Sequence, residues 1–136
     1  MKGKIVIYTD GGSKGNPGPS SIGVVIHYNG KVKEYGEQIG ETTNNVSEYT
    51  AVIFALKKLK HLIGKDKAGK SEVLIKSDSE LLVSQLNGEY KVKNEKIKEL
   101  FIDVWNLKQD FGDVQFVLVP REKNKAADRL VNEAMF

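Results

Sequence analysis

The most constraining feature of the chain is a strand-like run that leads an aspartate straight into a loop rich in glycine and proline. Residues 4–9 read Lys-Ile-Val-Ile-Tyr-Thr, and Asp10 follows at the predicted strand end. The next nine residues contain four glycines and two prolines. Glycine permits positive φ and close backbone approach, whereas proline fixes φ. Such a loop can lie against a ligand backbone beside Asp10; the alternative is a hairpin turn with a solvated aspartate.

The composition predicts a single folded domain over residues 1–136. Of these residues 40% are hydrophobic and 29% are charged, which is typical of a globule with one core. The formal net charge of +3 weakly favours a polyanionic partner. The absence of cysteine excludes disulfides and thiolate metal sites. The chain shows no secretory leader and no membrane-length apolar run, so we expect a cytoplasmic protein without membrane contact.

Hydrophobic periodicity and turn residues predict the element order β-β-β-α-β-α-α-β-α. The predicted strands cover residues 4–9, 20–28, 31–39, 73–75 and 114–119. The predicted helices cover residues 44–63, 79–86 and 95–108, followed by a last helix that the side chain of Asn124 caps. The connections are a lysine-rich segment at 64–70, a basic linker at 89–93 and a loop at 120–123.

This order implies an α/β fold, namely a five-stranded mixed sheet with helices on both faces. The antiparallel hairpins come first, and the later strands add in parallel beside the first strand. Trp105 falls on the apolar stripe of the 95–108 helix, so we predict that it lies in the core. In open α/β sheets the ligand site lies beyond the carboxyl ends of the parallel strands.

Four carboxylates are placed where such a site would form. Asp10 and Asp78 each follow a strand, whereas Glu48 and Asp128 each lie in an early turn of a helix. Each acid could alternatively be a solvated side chain favoured by a strand end or by the helix dipole. If the four acids converge, they repel one another unless cations neutralise them, and oxygen-only ligands suit Mg²⁺ or Mn²⁺. Two such ions about 4 Å apart support phosphodiester cleavage.

Five motifs occur in one order along nearly the whole chain. They are Thr9-Asp10-Gly11-Gly12-Ser13 with Gly15-Asn16-Pro17-Gly18-Pro19, Thr42-Thr43-Asn44-Asn45 with Glu48, Ser77-Asp78-Ser79, Tyr90-Lys91-Val92-Lys93-Asn94, and Asn124 with Ala127-Asp128. With these motifs the chain resembles type 1 ribonuclease H, the family that cleaves the RNA strand of RNA–DNA hybrids. The predicted element order is also that of the ribonuclease H-like fold.

The resemblance implies a role for each motif. Asp10, Glu48, Asp78 and Asp128 would be the catalytic residues and would bind two Mg²⁺ ions per site, with Mn²⁺ as a substitute. Asp10 would bridge both ions, and Glu48 would also touch a substrate 2′-hydroxyl. The implied substrate-binding residues are Gly11, Gly12, Ser13, Asn16, Thr43, Asn44, Asn45 and Asn94.

Two kinds of substrate contact are implied. Asn16, Asn44 and Asn45 would meet the minor groove of the hybrid, because an amide can both donate to and accept from a 2′-hydroxyl. Thr43 and Asn94 match the family's pocket for a DNA-strand phosphate, with nearby charge from Lys91, Lys93, Lys96 and Lys98. Turn and cap roles for the asparagines, and a solvated face for the lysines, are the alternatives.

The chain departs from the family pattern in four places. Many relatives carry a histidine before the last helix, where this chain has Pro120-Arg121-Glu122-Lys123-Asn124. Arg121 or Glu122 is the candidate auxiliary residue there. Glu41 stands where some relatives have arginine, and residues 88–93 replace a larger basic protrusion. We also expect no accessory hybrid-binding domain.

The expected function is sequence-independent hydrolysis of the RNA strand of RNA–DNA hybrids, leaving 5′-phosphate and 3′-hydroxyl ends. The expected partner is the hybrid, with double-stranded RNA left open. We expect a monomer without an obligate protein partner. The alternatives are a DNA-acting resolvase or integrase core of the same superfamily, and a catalytically silent nucleic-acid-binding domain.

Overall fold

The computed structural model describes residues 3–135, which contain five strands and five α-helices. The strands are β1 (Gly3–Ser13), β2 (Gly18–Tyr28), β3 (Lys31–Thr42), β4 (Ser71–Ser77) and β5 (Asp113–Leu118). The helices are α1 (Asn44–Ile63), α2 (Lys65–Gly69), α3 (Glu80–Leu86), α4 (Glu95–Lys108) and α5 (Lys125–Ala134), with a 3₁₀ turn at Arg121–Lys123 before α5.

The strands form one mixed sheet in the order β3-β2-β1-β4-β5. β1, β2 and β3 make antiparallel pairs, and β4 and β5 add in parallel on the other side of β1. This confirms the predicted α/β fold and its mixed sheet. It also places the carboxyl ends of β1 and β4 at the same edge of the sheet.

The first strand is longer than predicted. β1 continues through the glycines to Ser13, because β2 pairs with it in antiparallel register from Val6 to Ser13. The parallel pairing of β1 with β4 ends at Tyr8, opposite Lys76. Asp10 therefore does not stand at a strand end. It lies inside β1, just past the point where the parallel ladder stops.

Three local predictions were wrong. Residues 65–69 form the short helix α2 and not an irregular connection, because the fully buried Ala68 anchors them. Residues 121–123 form a 3₁₀ turn and not an open loop. Trp105 is 53% exposed, whereas its neighbour Val104 is fully buried. Successive helical residues are rotated by about 100°, so Trp105 lies beside the buried stripe and not on it.

Helices cover both faces of the sheet. α1 buries Tyr49, Val52, Leu56 and Leu59 completely in the main core, and each such apolar side chain contributes roughly 1.5–3 kcal/mol of burial. α5 packs on the opposite face, where a Cβ on Gly23 would overlap the Ala127 carbonyl oxygen. Among residues 3–135, no helix combines the length and the hydropathy that crossing a membrane requires.

The contact between β2 and α5 generates a test of the fold. Gly23→Ala is expected to lower the free energy of unfolding by about 1–3 kcal/mol, because the new methyl group overpacks a backbone contact. Gly69→Ala is the matched control, since its Cβ would meet open space, and it should remain within about 1 kcal/mol of the native chain. Urea unfolding monitored by far-UV circular dichroism measures both variants. Equal stabilities would contradict the packing of α5 on Gly23.

Candidate active site

An open cleft of about 530 Å³ lies at the edge of the sheet where β1 and β4 end their parallel pairing. Elements distant in sequence contribute to it, including β1, the start of α1, the end of β4 and the start of α5. Its lining comprises Asp10, Gly11, Gly12, Ser13, Lys14, Asn44, Glu48, Asp78, Ser79, Arg121, Asp128, Val131, Asn132 and Met135.

Three of the four predicted carboxylates form a tight cluster in this cleft. Asp10, Glu48 and Asp78 each offer a carboxylate oxygen, and these oxygens all lie within 4.8 Å of one another. Asp10 comes from β1, Glu48 from the beginning of α1, and Asp78 from the residue after β4. The cluster therefore unites three elements that the sequence places far apart.

A close contact between α1 and β1 carries Glu48 to this position. A Cβ on Gly11 would overlap the Ser47 carbonyl group and would lie 2.6 Å from the Glu48 nitrogen. Only glycine therefore lets the α1 backbone rest directly on the strand. The contact sets Glu48 beside Asp10, the residue that precedes Gly11 in the strand.

Burial and mutual repulsion perturb the charges of the cluster. Asp10 is 7% exposed, and burial, together with the charges of Asp78 and Asp128, raises its pKa to about 7. The Gly11 amide donates a hydrogen bond to Asp10 Oδ1 at 3.0 Å and opposes this shift. Burial is also the main cause that raises the pKa of Glu48 well above its usual value.

The fourth carboxylate, Asp128, lies next to the cluster in the first turn of α5. It lines the same cleft, and its charge acts on both Asp10 and Asp78. Burial raises the pKa of Asp78, whereas the guanidinium of Arg121 lowers it. The structure thus brings all four predicted acids to one site, with Asp128 at the edge of the triad.

The donor set of the cluster fits hard divalent cations. Glu48 Oε2 is buried and has no hydrogen-bond partner among residues 3–135, which is a costly state for a carboxylate oxygen. All the available ligand atoms are oxygens, the type that Mg²⁺ and Mn²⁺ prefer. A cation would satisfy the unpartnered oxygen and offset the repulsion between the acids.

Side chains beside the cluster form a second polar group. The backbone nitrogen and the hydroxyl of Ser13 donate to Asn44 Oδ1 at 3.0 Å and 3.1 Å. The backbone nitrogen of Asn44 in turn donates to Asn16 Oδ1 at 2.9 Å. The loop after β1 is therefore tied to the start of α1. Because Asn44 Oδ1 is occupied, its Nδ2 is the end that can donate towards a ligand.

Only some of the predicted substrate-binding and auxiliary residues line the cleft. Those that do are Gly11, Gly12, Ser13, Asn44 and Arg121. The others lie outside the lining that the described residues form: Asn16, Thr43, Asn45, Asn94, Glu122, Lys91 and Lys93. Thr43 and Asn94 cap α1 and α4, through bonds to the nitrogens of Val46 and Ile97. Their binding roles stay predictions.

Asn124 is the N-cap residue of α5, as predicted, but its side chain makes no cap hydrogen bond there. The residue is 1% exposed, and its Nδ2 donates to the Thr9 carbonyl oxygen at 2.9 Å. The same side chain lowers the pKa of Asp78. Asn124 therefore ties the start of α5 to β1 and acts on an acid of the cluster. Its place one turn before Asp128 was the available sequence signal.

The fold and the carboxylate cluster together define a protein of the ribonuclease H-like class. The family model described as reverse transcriptase-like matches residues 8–134. The structure of LC11-RNase H1 in complex with an RNA/DNA hybrid is similar, with 49% sequence identity, a TM-score of 0.89 and 96% of each chain covered.

Two curated relatives extend the comparison. A ribonuclease H from Sulfurovum sp. is 38% identical over 101 residues, which cover 74% of this chain and 69% of that protein. A bifunctional protein from Mycobacterium tuberculosis is 38% identical over 135 residues, which cover 97% of this chain and 35% of that protein. The chain thus spans about a third of the length of the longer relative. It belongs to the ribonuclease H family, among the compact type 1 members.

The raised pKa of Asp10 predicts how the metal-free protein responds to pH. The pKa rises from 3.8 to about 7 on folding, so the folded state holds more protons than the unfolded state between these values. The contribution of Asp10 to stability is therefore present below pH 3.8 and is lost as the pH rises through about 7. At pH 8 in EDTA, Asp10→Asn should exceed the native chain in unfolding free energy by about 1–3 kcal/mol.

Urea unfolding at pH 4, 6 and 8 measures this difference. The difference in unfolding free energy between the variant and the native chain should widen as the pH rises. Added Mg²⁺ should stabilise the native chain more than the variant. Asp66→Asn serves as the control, because Asp66 is exposed on α2. A gap that stays constant across the three pH values would contradict the raised pKa.

Proposed function

We propose that this chain is an endonuclease that hydrolyses the RNA strand of RNA–DNA hybrids with two divalent metal ions. The observation that carries the proposal is the partly buried cluster of Asp10, Glu48 and Asp78 in an open cleft. Membership of the ribonuclease H family supports the same activity. The products would carry 5′-phosphate and 3′-hydroxyl ends.

The proposed metal ligands are Asp10, Glu48, Asp78 and Asp128, with Mg²⁺ as the preferred ion and Mn²⁺ as a substitute. When bound, two such ions activate water and stabilise the attacking and leaving oxygens of the phosphodiester. Asp10 lies at the centre of the acids, since Glu48, Asp78 and Asp128 each act on it or contact it. Asp10 would therefore be the central residue of the set that holds the ions.

Arg121 is the auxiliary residue that the geometry favours. It lines the cleft and acts on Asp78, whereas Glu122 is exposed and outside that lining. Its guanidinium can hold a phosphate oxygen with two parallel hydrogen bonds and stays charged across the working pH range. We propose that Arg121 orients the scissile phosphate towards the carboxylates.

Substrate choice would depend on the polar group at Ser13, Asn16 and Asn44. The Asn44 amide is held by its oxygen, so its Nδ2 can donate to a ribose 2′-hydroxyl or to a minor-groove acceptor. We propose that Asn45 and Glu48 share the contact to the RNA sugars. Contacts of this kind read sugars and phosphates and not base sequence, which makes cleavage independent of sequence.

We further propose that residues 1–136 form one catalytic domain that acts as a monomer. One continuous core supports this arrangement. Buried residues of α1, α3 and α4 and of the strands β1, β2, β4 and β5 belong to a single cluster. Residues of this one chain supply the side chains that line the cleft.

Removing the central carboxylate tests the metal-dependent mechanism. Asp10→Asn is expected to reduce the rate of hybrid cleavage by on the order of 10²–10³-fold or more, the span for losing one group that stabilises transition-state charge. Asp66→Asn on α2 should cleave at the native rate. Gel analysis of a labelled hybrid in Mg²⁺ and in EDTA provides the measurement. Native activity in Asp10→Asn with an intact fold would refute the assignment.

Substrate substitution tests the recognition of RNA. A hybrid with deoxyribose at the sugars flanking the scissile phosphate should resist cleavage, because Asn44 and its neighbours lose the 2′-hydroxyl. The same panel includes duplex DNA and duplex RNA, which separates a DNA-acting resolvase and a duplex-RNA nuclease from the proposed enzyme. Binding without cleavage in both Mg²⁺ and Mn²⁺ would instead identify a silent binding domain.

A further inference from the structure

Residues 87–94 form a segment without helix or strand between α3 and α4, which we call the basic arm. Lys91 and Lys93 in it are exposed, whereas Val92 between them is partly buried and packs against the core. The alternation places both lysines on the outer side of the arm. The sequence indicated a basic linker here, and the family resemblance implied that its lysines supply charge near a DNA-strand phosphate; neither indicated what holds the segment in place.

The basic arm is held by a buried relay of hydrogen bonds. The Tyr49 hydroxyl donates to Gln85 Oε1 at 2.9 Å, and Gln85 Nε2 donates to the Lys91 carbonyl oxygen at 3.2 Å. Tyr49 is fully buried and Gln85 is 6% exposed. A fully satisfied network in such surroundings is rigid and specifies one geometry. The relay therefore links α1, through α3, to the backbone of a charged surface segment.

Further bonds fix the first half of the basic arm. The backbone nitrogens of Glu89 and Tyr90 donate to the Ser84 carbonyl oxygen at 2.8 Å and 3.2 Å. Asn87 Nδ2 donates to the Phe116 carbonyl oxygen on β5 at 3.1 Å. On the exposed side, the Tyr90 hydroxyl donates to Glu80 Oε2 at 2.7 Å. These bonds make the arm a pre-formed surface despite its irregular backbone.

The origin of the relay connects the basic arm to the active site. Tyr49 directly follows Glu48, and α3, which carries Gln85, begins just after Asp78 and Ser79 in the cleft lining. α1 thus carries both Glu48 and the first residue of the relay, and α3 begins two residues after Asp78 and carries the second. A pair of exposed cations on a backbone that the relay holds suits the sugar–phosphate backbone of the bound duplex.

We propose that Tyr49 and Gln85 are positioning residues that hold Lys91 and Lys93 against backbone phosphates of the bound hybrid. The proposal rests on the proposed function for the identity of the duplex. The relay sets the affinity for the substrate and leaves the chemical step to the carboxylates. Fixing the backbone of the arm before binding avoids the entropy cost of ordering that backbone on the substrate.

Salt-dependent binding in EDTA tests the cationic surface without any cleavage. The probe is a fluorescent RNA–DNA hybrid, with Kd measured by anisotropy over a range of KCl concentrations. The pair Lys91→Ala and Lys93→Ala should raise Kd and reduce the slope of log K against log salt by about two, one for each phosphate contact. The control pair is Lys31→Ala and Lys33→Ala, which has the same spacing on β3. Equal effects of the two pairs would overturn the proposal.

A double-mutant cycle tests whether the relay acts through the lysines. Gln85→Met removes both links of the relay, and Tyr49→Phe removes only the first. Each should raise Kd, and the penalty of the lysine pair should shrink by about two- to tenfold in the Gln85→Met background, because a displaced arm no longer presents its charges. Multiplicative, independent effects on Kd would overturn the proposal.

Two further measurements separate positioning from general destabilisation. Amide hydrogen exchange at Glu89 and Tyr90 should accelerate in Gln85→Met. Val73→Ala, a core variant outside the relay and the arm, should leave both this exchange and Kd unchanged; a similar rise of Kd in Val73→Ala would overturn the proposal. In cleavage assays the relay variants should raise KM and keep kcat, and a loss of kcat alone would also overturn it. Absence of cleavage by the native chain would refute the proposed function and leave the binding cycle interpretable.

Discussion

The contact of α1 with β1 at Gly11 is the constraint on which the rest of the site depends. Because that residue has no side chain, the helix backbone at Ser47 can lie directly on the strand, and Glu48 reaches Asp10. The parallel pairing of β4 with β1 then supplies Asp78 at the same edge. Any larger residue at position 11 would push α1 outward and open the cluster.

The cluster itself works against the stability of the folded chain. Burial and repulsion raise the pKa values of Asp10, Glu48 and Asp78, and one Glu48 oxygen remains without a partner among the described residues. Such an arrangement persists because the surrounding sheet and helices over-determine it. Because the acids repel one another in the empty site, divalent cations stabilise the folded chain more than they would at a site without such repulsion. The stability of the fold and the binding of metal are therefore linked.

Buried amides extend this organisation beyond the carboxylates. Asn124 ties the start of α5 to the Thr9 carbonyl group and lowers the pKa of Asp78, and Gln85 ties α3 to the basic arm. Both residues are polar and almost fully buried; Asn124 directly precedes α5, and Gln85 lies in the last turn of α3. Through each amide, the position of a helix fixes the position of a group at or near the site, as expected of a buried polar network.

The sequence by itself determined the order of the five strands and of every α-helix except α2, the mixed sheet and the identity of the four acids, because periodicity, turn residues and short motifs are local signals. Tertiary structure decided the rest. β1 continues past Asp10 because its ladder partner β2 extends that far, and Trp105 is exposed because it lies beside the face of α4 that meets α1. Asn124 caps α5 by its position, but the partner of its side chain, the Thr9 carbonyl oxygen, came only with the fold. A side chain's partner across the sheet depends on packing between distant segments, which no local pattern encodes.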